Sequence, residues 1–186
     1  MKTIARSGSG NAGRTLARVL VVALLIVAAA GIATAQDSTG LVFRGGIGVQ
    51  PITGVSATGT VNLNVVRGVS PAGPWRIASL NAAVTPNGRI IVVGRGLLLA
   101  AGNGIGTNGG QRVHVTLFCG PAATATAHSS NAAGVALDAN GDFAIDDVLS
   151  PLPVGSCPTP VLLVRNAGGL WFAAGIQQSI EQHNEQ

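Results

Sequence analysis

Apolar residues beyond residue 36 come in short runs that are cut repeatedly by Gly, Pro and Asn. None of these runs has the apolar spacing of an amphipathic helix, and β-branched residues dominate them. Val61, Leu63 and Val65, for example, alternate with two asparagines, a pattern that predicts a strand with one buried face. We therefore expect a chain of many short β-strands joined by turns.

Three turn sequences lie between apolar runs and predict β-hairpins. They are residues 85–88 (TPNG), 138–142 (DANGD) and 166–169 (NAGG), each rich in residues that favour tight turns. With the other runs they give about eight or nine short antiparallel strands in one domain, residues 36–176. The expected fold is all-β, a single β-sandwich of the immunoglobulin-like or a related kind, with a barrel-like variant as the alternative.

One of these turns resembles a motif of known β-sandwich modules. Residues 138–145 read D-x-N-G-x-F-x-I, which is similar to a hairpin turn in many immunoglobulin-like and transthyretin-like domains. The resemblance covers this segment alone and bears on the fold. It implies no activity, cofactor or site residue.

The first 35 residues have the composition of a secretory signal peptide. Basic residues precede an unbroken apolar run over residues 19–30, and residues 33–35 (ATA) offer small side chains for cleavage. We expect cleavage after Ala35 and a secreted or periplasmic protein. The alternative is an uncleaved anchor, since the apolar stretch approaches the length that spans a bilayer. At the other end of the chain, residues 177–186 are expected to form a polar tail.

The charge distribution argues against nucleic-acid binding. The whole chain has a net charge of +4, from 11 Lys and Arg against 7 Asp and Glu. Four of the basic residues lie in the predicted signal peptide, so the remaining chain is formally neutral. Binding to phosphates needs clustered Lys and Arg. We therefore expect no nucleic-acid partner and no stable membrane insertion after cleavage.

The chain has two cysteines, Cys119 and Cys157. In an oxidising compartment such a pair is expected to form a disulfide. A metal pair and a reactive thiol are the alternatives, but the C-x-x-C spacing of structural zinc sites is lacking. We predict a Cys119–Cys157 disulfide, and we expect neither a cofactor nor a metal site.

Residues 102–110 (GNGIGTNGG) form a glycine-rich segment with a G-x-G-x-x-G match at residues 104–109. The dinucleotide-binding form of this motif needs a helix directly after it, whereas a strand pattern follows here. A structural loop is the expected role, because glycine permits backbone conformations that other residues avoid. If the protein has a binding loop, this segment is the first candidate.

Asp138, Asn140 and Asp142 have the alternate spacing of oxygen ligands in a calcium-binding loop. The positions at which an EF-hand needs Gly and Glu hold other residues, so the match to that motif fails. The expected role is that of solvated turn residues. A small-ligand- or calcium-binding β-sandwich, completed by the acids at 146 and 147, is the alternative function.

The sequence offers little support for catalysis. His114 is expected on a strand, and His128 is expected in a loop. A Ser–His–Asp set can be drawn only on paper, from Ser129 or Ser130 with His128 and Asp138, and no G-x-S-x-G motif supports it. We expect no catalytic residues and no enzymatic activity, and a hydrolase is the least favoured alternative.

Trp171 and Phe172 are neighbours in a predicted strand, so one ring is expected in the core and the other outside. Core packing is expected for both tryptophans, and a cap on the sandwich or a contact patch is the alternative for Trp75. The function that these features favour is an exported, non-enzymatic module that binds a protein or an envelope component, or has a structural role there. Its partner is expected at a strand edge or at the loop of residues 102–110.

Overall fold

A computed structural model describes residues 40–178, and all regular secondary structure in this range is β-strand. The all-β prediction is confirmed, but the predicted strand number was too low because several strands are only two to four residues long. The predicted signal peptide lies outside the described residues, as does the tail beyond Gln178. No helix within residues 40–178 has the length and apolar character needed to cross a bilayer. The thirteen strands are β1 (Leu41–Gly48), β2 (Ile52–Val55), β3 (Val61–Leu63), β4 (Trp75–Arg76), β5 (Ser79–Val84), β6 (Arg89–Arg95), β7 (Leu98–Leu99), β8 (Arg112–Cys119), β9 (Thr126–Ser129), β10 (Val135–Ala136), β11 (Phe143–Val148), β12 (Val161–Arg165) and β13 (Trp171–Gln177).

Nine of the strands form one antiparallel sheet. Its order is β10-β8-β12-β13-β1-β5-β6-β11, and β9 also pairs with β8. The two edges of this sheet come together where Ser129 and Ser150 exchange main-chain hydrogen bonds of 2.9 and 2.8 Å. The sheet is therefore a nearly closed barrel. This architecture fits the barrel-like variant better than the predicted two-sheet sandwich.

Two of the three predicted hairpins are present. Residues 85–88 join the paired strands β5 and β6, and residues 166–169 join β12 and β13. The third prediction was wrong, although residues 138–142 do form a turn, closed by a hydrogen bond from Asp138 N to Asp142 O (3.0 Å). The strands on either side of it pair elsewhere, β10 with β8 and β11 with β6.

The barrel interior is filled by alternate residues of the strands. In β6, Ile90 and Val92 are fully buried, whereas Ile91 and Val93, which alternate with them, face outward. Glycine is required at Gly94 of the same strand, because a Cβ there would overlap the Phe143 ring. The fully buried side chains of this core include Phe43, Leu80, Ile90, Val92, Val113, Val115, Leu117, Leu162 and Val164.

Trp171 and Phe172 are both buried, so the expectation of one exposed ring was wrong. The register of β13 against β12 shifts at this point, and Phe172 has no partner across the ladder. A bulge of this kind breaks the strict alternation of sides. Phe172 stacks on Trp75, with ring centroids 4.4 Å apart. Residues 64–72 run beside Trp171, with main-chain hydrogen bonds from Trp171 N to Ser70 O and from Ala72 N to Trp171 O. The indole N–H donates to Asn64 O, and the Trp171 side chain is buried like that of Phe172.

The predicted Cys119–Cys157 disulfide is confirmed. It links the end of β8 to the segment before β12, and β8 and β12 pair directly with each other. Beside it, Gly120 N donates to Pro158 O at 2.7 Å. The cross-link therefore fixes the entry of the chain into β12.

Candidate functional site: the β2–β3 hairpin

The β2–β3 hairpin is separate from the barrel sheet. Within the described part of the chain, its two strands pair only with each other. Ile52 lies opposite Leu63 and Val55 lies opposite Val61, with a register shift near Thr53. Each strand thus keeps one edge on which residues 40–178 provide no pairing strand.

One face of this hairpin is apolar and exposed. Residues opposite each other in an antiparallel pair share a face, as do residues two apart in a strand. Ile52, Val55, Val61 and Leu63 therefore lie on the same side, which we call the apolar face. They are 50, 62, 49 and 54% exposed, respectively. The prediction of a strand at residues 61–65 was right for 61–63, but the expected burial of Val61 and Leu63 was wrong.

Asn64 attaches the base of the hairpin to the barrel. Its main-chain N–H donates to Pro51 O (2.9 Å), and its side-chain amide donates to Gln50 O (3.0 Å). Its carbonyl oxygen accepts a hydrogen bond of 3.0 Å from the indole N–H of Trp171. These bonds close the base of the hairpin and tie it to a buried side chain of β13, so the apolar face is displayed on an anchored element.

The chain segment that contains the hairpin is uncharged. Residues 45–66 contain no Asp, Glu, Lys or Arg. By contrast, the exposed Ile91 and Val93 of β6 lie in the same strand as Arg89 and Arg95, which form ion pairs of 2.7 and 3.5 Å. Proteins commonly block exposed strand edges with charged side chains. The hairpin carries no such charge. It was not predicted as a site from the sequence, although the lack of charged residues in this segment could have signalled an exposed apolar strand.

The glycine-rich segment, residues 102–110, is a compact loop held by its own hydrogen bonds. Leu99 N donates to Thr107 O and Gly106 N donates to Leu99 O, both at 2.9 Å. The Asn108 side-chain amide reaches across to the carbonyl oxygens of Leu137 (3.2 Å) and Asp138 (2.7 Å). A strand, β8, follows the loop, as the sequence pattern predicted.

The carboxylates of the turn at residues 138–142 accept hydrogen bonds from main-chain N–H groups. Asp138 Oδ1 accepts hydrogen bonds from the main-chain N–H groups of Asn140 and Asp142, both at 2.8 Å. Asp142 Oδ1 accepts one from Gly96 N at 2.9 Å. Among residues 40–178 no group of three or more His, Cys, Asp or Glu side chains is placed to hold a metal ion.

The two neighbouring acids of β11 are also engaged. Asp146 forms a two-pronged contact with Arg89, at 2.9 and 2.7 Å, and this hydrogen bonding lowers the pKa of the Asp146 carboxyl. Asp147 accepts a hydrogen bond of 2.7 Å from Asn131 N. Both acids line a shallow depression between β11 and the β9–β10 connection. Both carboxylates therefore already accept hydrogen bonds from this chain.

The Ser–His–Asp set drawn from the sequence is not brought together. His128 lies in β9 and is buried, so its placement in a loop was wrong. Its ring nitrogens contact Pro151 O (2.7 Å) and Thr126 Oγ1 (3.1 Å). Ser129 Oγ instead contacts a threonine hydroxyl of β8, and Ser130 Oγ bonds to the main chain of β8. The two hydroxyls thus stabilise the pairing of strands.

His114 lies on β8, as expected, and is buried opposite Arg165 of β12. Arg165 donates to Thr116 Oγ1 (3.1 Å) and to Gly169 O (3.0 Å). His114 Nδ1 and Arg165 Nε are buried and lack a protein partner in the described range. Burial, and then the nearby Arg165 cation, lowers the pKa of His114. Both effects favour the neutral form of the imidazole over its charged form.

Of these features, the β2–β3 hairpin places four half-exposed apolar side chains on one face of an element that has no further pairing strand in residues 40–178. The acids and His128 make hydrogen bonds within the barrel, and the glycine-rich loop is held by main-chain hydrogen bonds, with Ile105 exposed at 65%. Comparisons of the chain with protein families, curated proteins and solved structures found no match.

Proposed function

We propose that this chain is an exported, non-enzymatic binding module that holds a protein partner on the apolar face of the β2–β3 hairpin. The barrel is the scaffold that carries the hairpin. The observation behind the proposal is the apolar face itself, four large side chains on one side of one element, each about half exposed. Covering apolar surface is favourable by about 25 cal/mol per Å², and contiguous exposed apolar surface is a common mark of an interaction site.

A protein partner fits this element better than a lipid surface does. The outer edges of β2 and β3 carry main-chain N–H and C=O groups without a partner strand in the described range. Inserting such groups into hydrocarbon leaves them without hydrogen bonds, at a cost of several kcal/mol each. A protein surface can cover the apolar face while water or a partner strand satisfies the edges.

Export to an oxidising compartment is part of the same proposal. The Cys119–Cys157 disulfide is of the kind that persists outside the reducing cytoplasm, and residues 1–35 have the features of a signal peptide. We expect the protein recovered from an exporting host to begin at Gln36 when its N-terminus is sequenced. An N-terminus at Met1 would contradict cleavage.

The proposal is tested by capture of proteins from envelope and secreted fractions of the source cells with the wild-type chain and with two lysine variants. Leu63→Lys places a charge on the apolar face, whereas Ala57→Lys places the same charge in the exposed turn between β2 and β3. We expect one stoichiometric protein to be retained by the wild type and by Ala57→Lys and lost with Leu63→Lys. Equal capture by all three folded proteins would overturn the proposal, and so would the absence of any capture from a chain that also does not self-associate.

A further inference from the structure

We infer that the partner on the apolar face is a second copy of this chain, so that two β2–β3 hairpins pack face to face across a two-fold axis. This inference rests on the proposed function, since it requires that the hairpin bind protein, and it identifies that protein. A two-fold interface is made of the same surface on both subunits. Two twisted β-ribbons can stack in this way as the layers of a small sandwich, about 10 Å apart.

Charge favours a second copy over an unrelated protein. A surface that selects a foreign partner generally carries charges that complement those of the partner. The hairpin has none, because residues 45–66 are uncharged. The flanking cation, Arg67, is held at Thr159, because its guanidinium donates to Thr159 O at 2.9 Å. Two identical neutral faces approach without the like-charge repulsion that a two-fold axis imposes on charged surfaces.

The size of the apolar face sets the strength of the association. Standard interfaces use about 20–30 residues on each side and bury about 800 Å² per partner. The hairpin from Ile52 to Leu63 has fewer residues than that. A face of this size matches another of the same size and leaves little apolar surface uncovered on either. We therefore expect a weak dimer, with a dissociation constant of about 10–100 µM.

The test is sedimentation velocity on the whole chain, purified from an exporting host, from about 1 to about 300 µM. We expect a concentration-dependent shift from monomer to dimer that persists at high salt, because apolar contacts are not screened. Leu63→Lys is expected to weaken the dimer at least tenfold, and Ala57→Lys is expected to leave it unchanged. Val55→Thr removes apolar character from the same face while keeping shape and strand propensity, and we expect it to weaken the dimer several-fold with unchanged thermal unfolding.

A monomer at every concentration, or a dimer that Leu63→Lys and Val55→Thr do not weaken, would overturn this inference. If the chain is monomeric but captures another protein that is lost with Leu63→Lys, the inference fails and the proposed function stands. If it neither dimerises nor captures a protein through the hairpin, both fail.

Discussion

The indole N–H of Trp171 donates a hydrogen bond of 3.0 Å to the main-chain oxygen of Asn64, across 107 residues of sequence. Trp171 belongs to the barrel and is buried, whereas Asn64 closes the base of the exposed hairpin. A carbonyl oxygen bonded in this way has a fixed position, because losing a hydrogen bond to a buried polar group is costly. This contact makes the position of the apolar face depend on the packing of the barrel.

Trp171→Phe removes the donor and part of the ring while keeping an aromatic side chain in place. We expect the free energy of unfolding to fall by about 1–3 kcal/mol. Relative to wild type, amide hydrogen exchange should accelerate more in residues 52–63 than in β12. Asn64→Ala is the matched control, since it loses the side-chain bond to Gln50 but keeps the oxygen that Trp171 contacts. Its effect on exchange in the hairpin should be smaller. Unchanged exchange in the Trp171 variant would show that the contact does not anchor the hairpin.

Gly94→Ala places a methyl group against the Phe143 ring in the barrel interior. We expect a loss of about 1–3 kcal/mol in the free energy of unfolding, measured in urea, because overpacking forces side chains out of their rotamers. Gly54→Ala is the control, since a methyl group there meets no atom within 4 Å. Adding Phe143→Leu to Gly94→Ala should recover part of the loss. Equal stability of the two alanine variants would contradict the close packing at Gly94.

The buried His114 makes stability depend on pH. Its pKa in the folded chain is lowered, first by burial and then by Arg165, whereas in the unfolded chain it titrates near its usual value of about 6.5. The unfolded state therefore binds more protons as the pH falls below that value. We expect the free energy of unfolding to decrease from pH 7 to pH 5, and His114→Gln to flatten this decrease. An identical slope in wild type and variant would exclude His114 as its source.

The disulfide stabilises the barrel by limiting the unfolded chain. For a sequence separation of 38 residues, the chain-entropy relation gives about 4 kcal/mol. The double variant Cys119→Ala, Cys157→Ala should lose stability of this order in urea unfolding. Treatment of wild type with a reductant should have a similar effect, and the double variant should not respond to it. A reductant effect on the double variant would point to a different cause.

Local sequence patterns were sufficient to predict two of the hairpin turns and the disulfide. The turn at residues 85–88 and the turn at 166–169 were predicted because Asn and Gly favour tight turns, and both join strands that pair. The disulfide followed from an isolated cysteine pair. These features require no knowledge of how distant strands meet.

Those local patterns could not predict which distant strands pair with each other. The turn at residues 138–142 forms, yet β11 pairs with β6 along six residues and leaves β10 to β8. The alternation of Val61 and Leu63 indicates a strand with an apolar side but not whether the barrel covers that side. The neighbourhood of His114 and Arg165 depends on the register of β8 against β12, which the sequence does not encode locally.

The most direct test of the account is photo-crosslinking in the exporting cell, with a photoreactive residue placed at Val61 on the apolar face or at Ala144 on the exposed side of β11. We predict a protein adduct from position 61, either a second copy of the chain or another protein, and none of comparable yield from position 144. No protein adduct from position 61, or equal adducts from both positions, would contradict the claim that this protein binds through the β2–β3 hairpin.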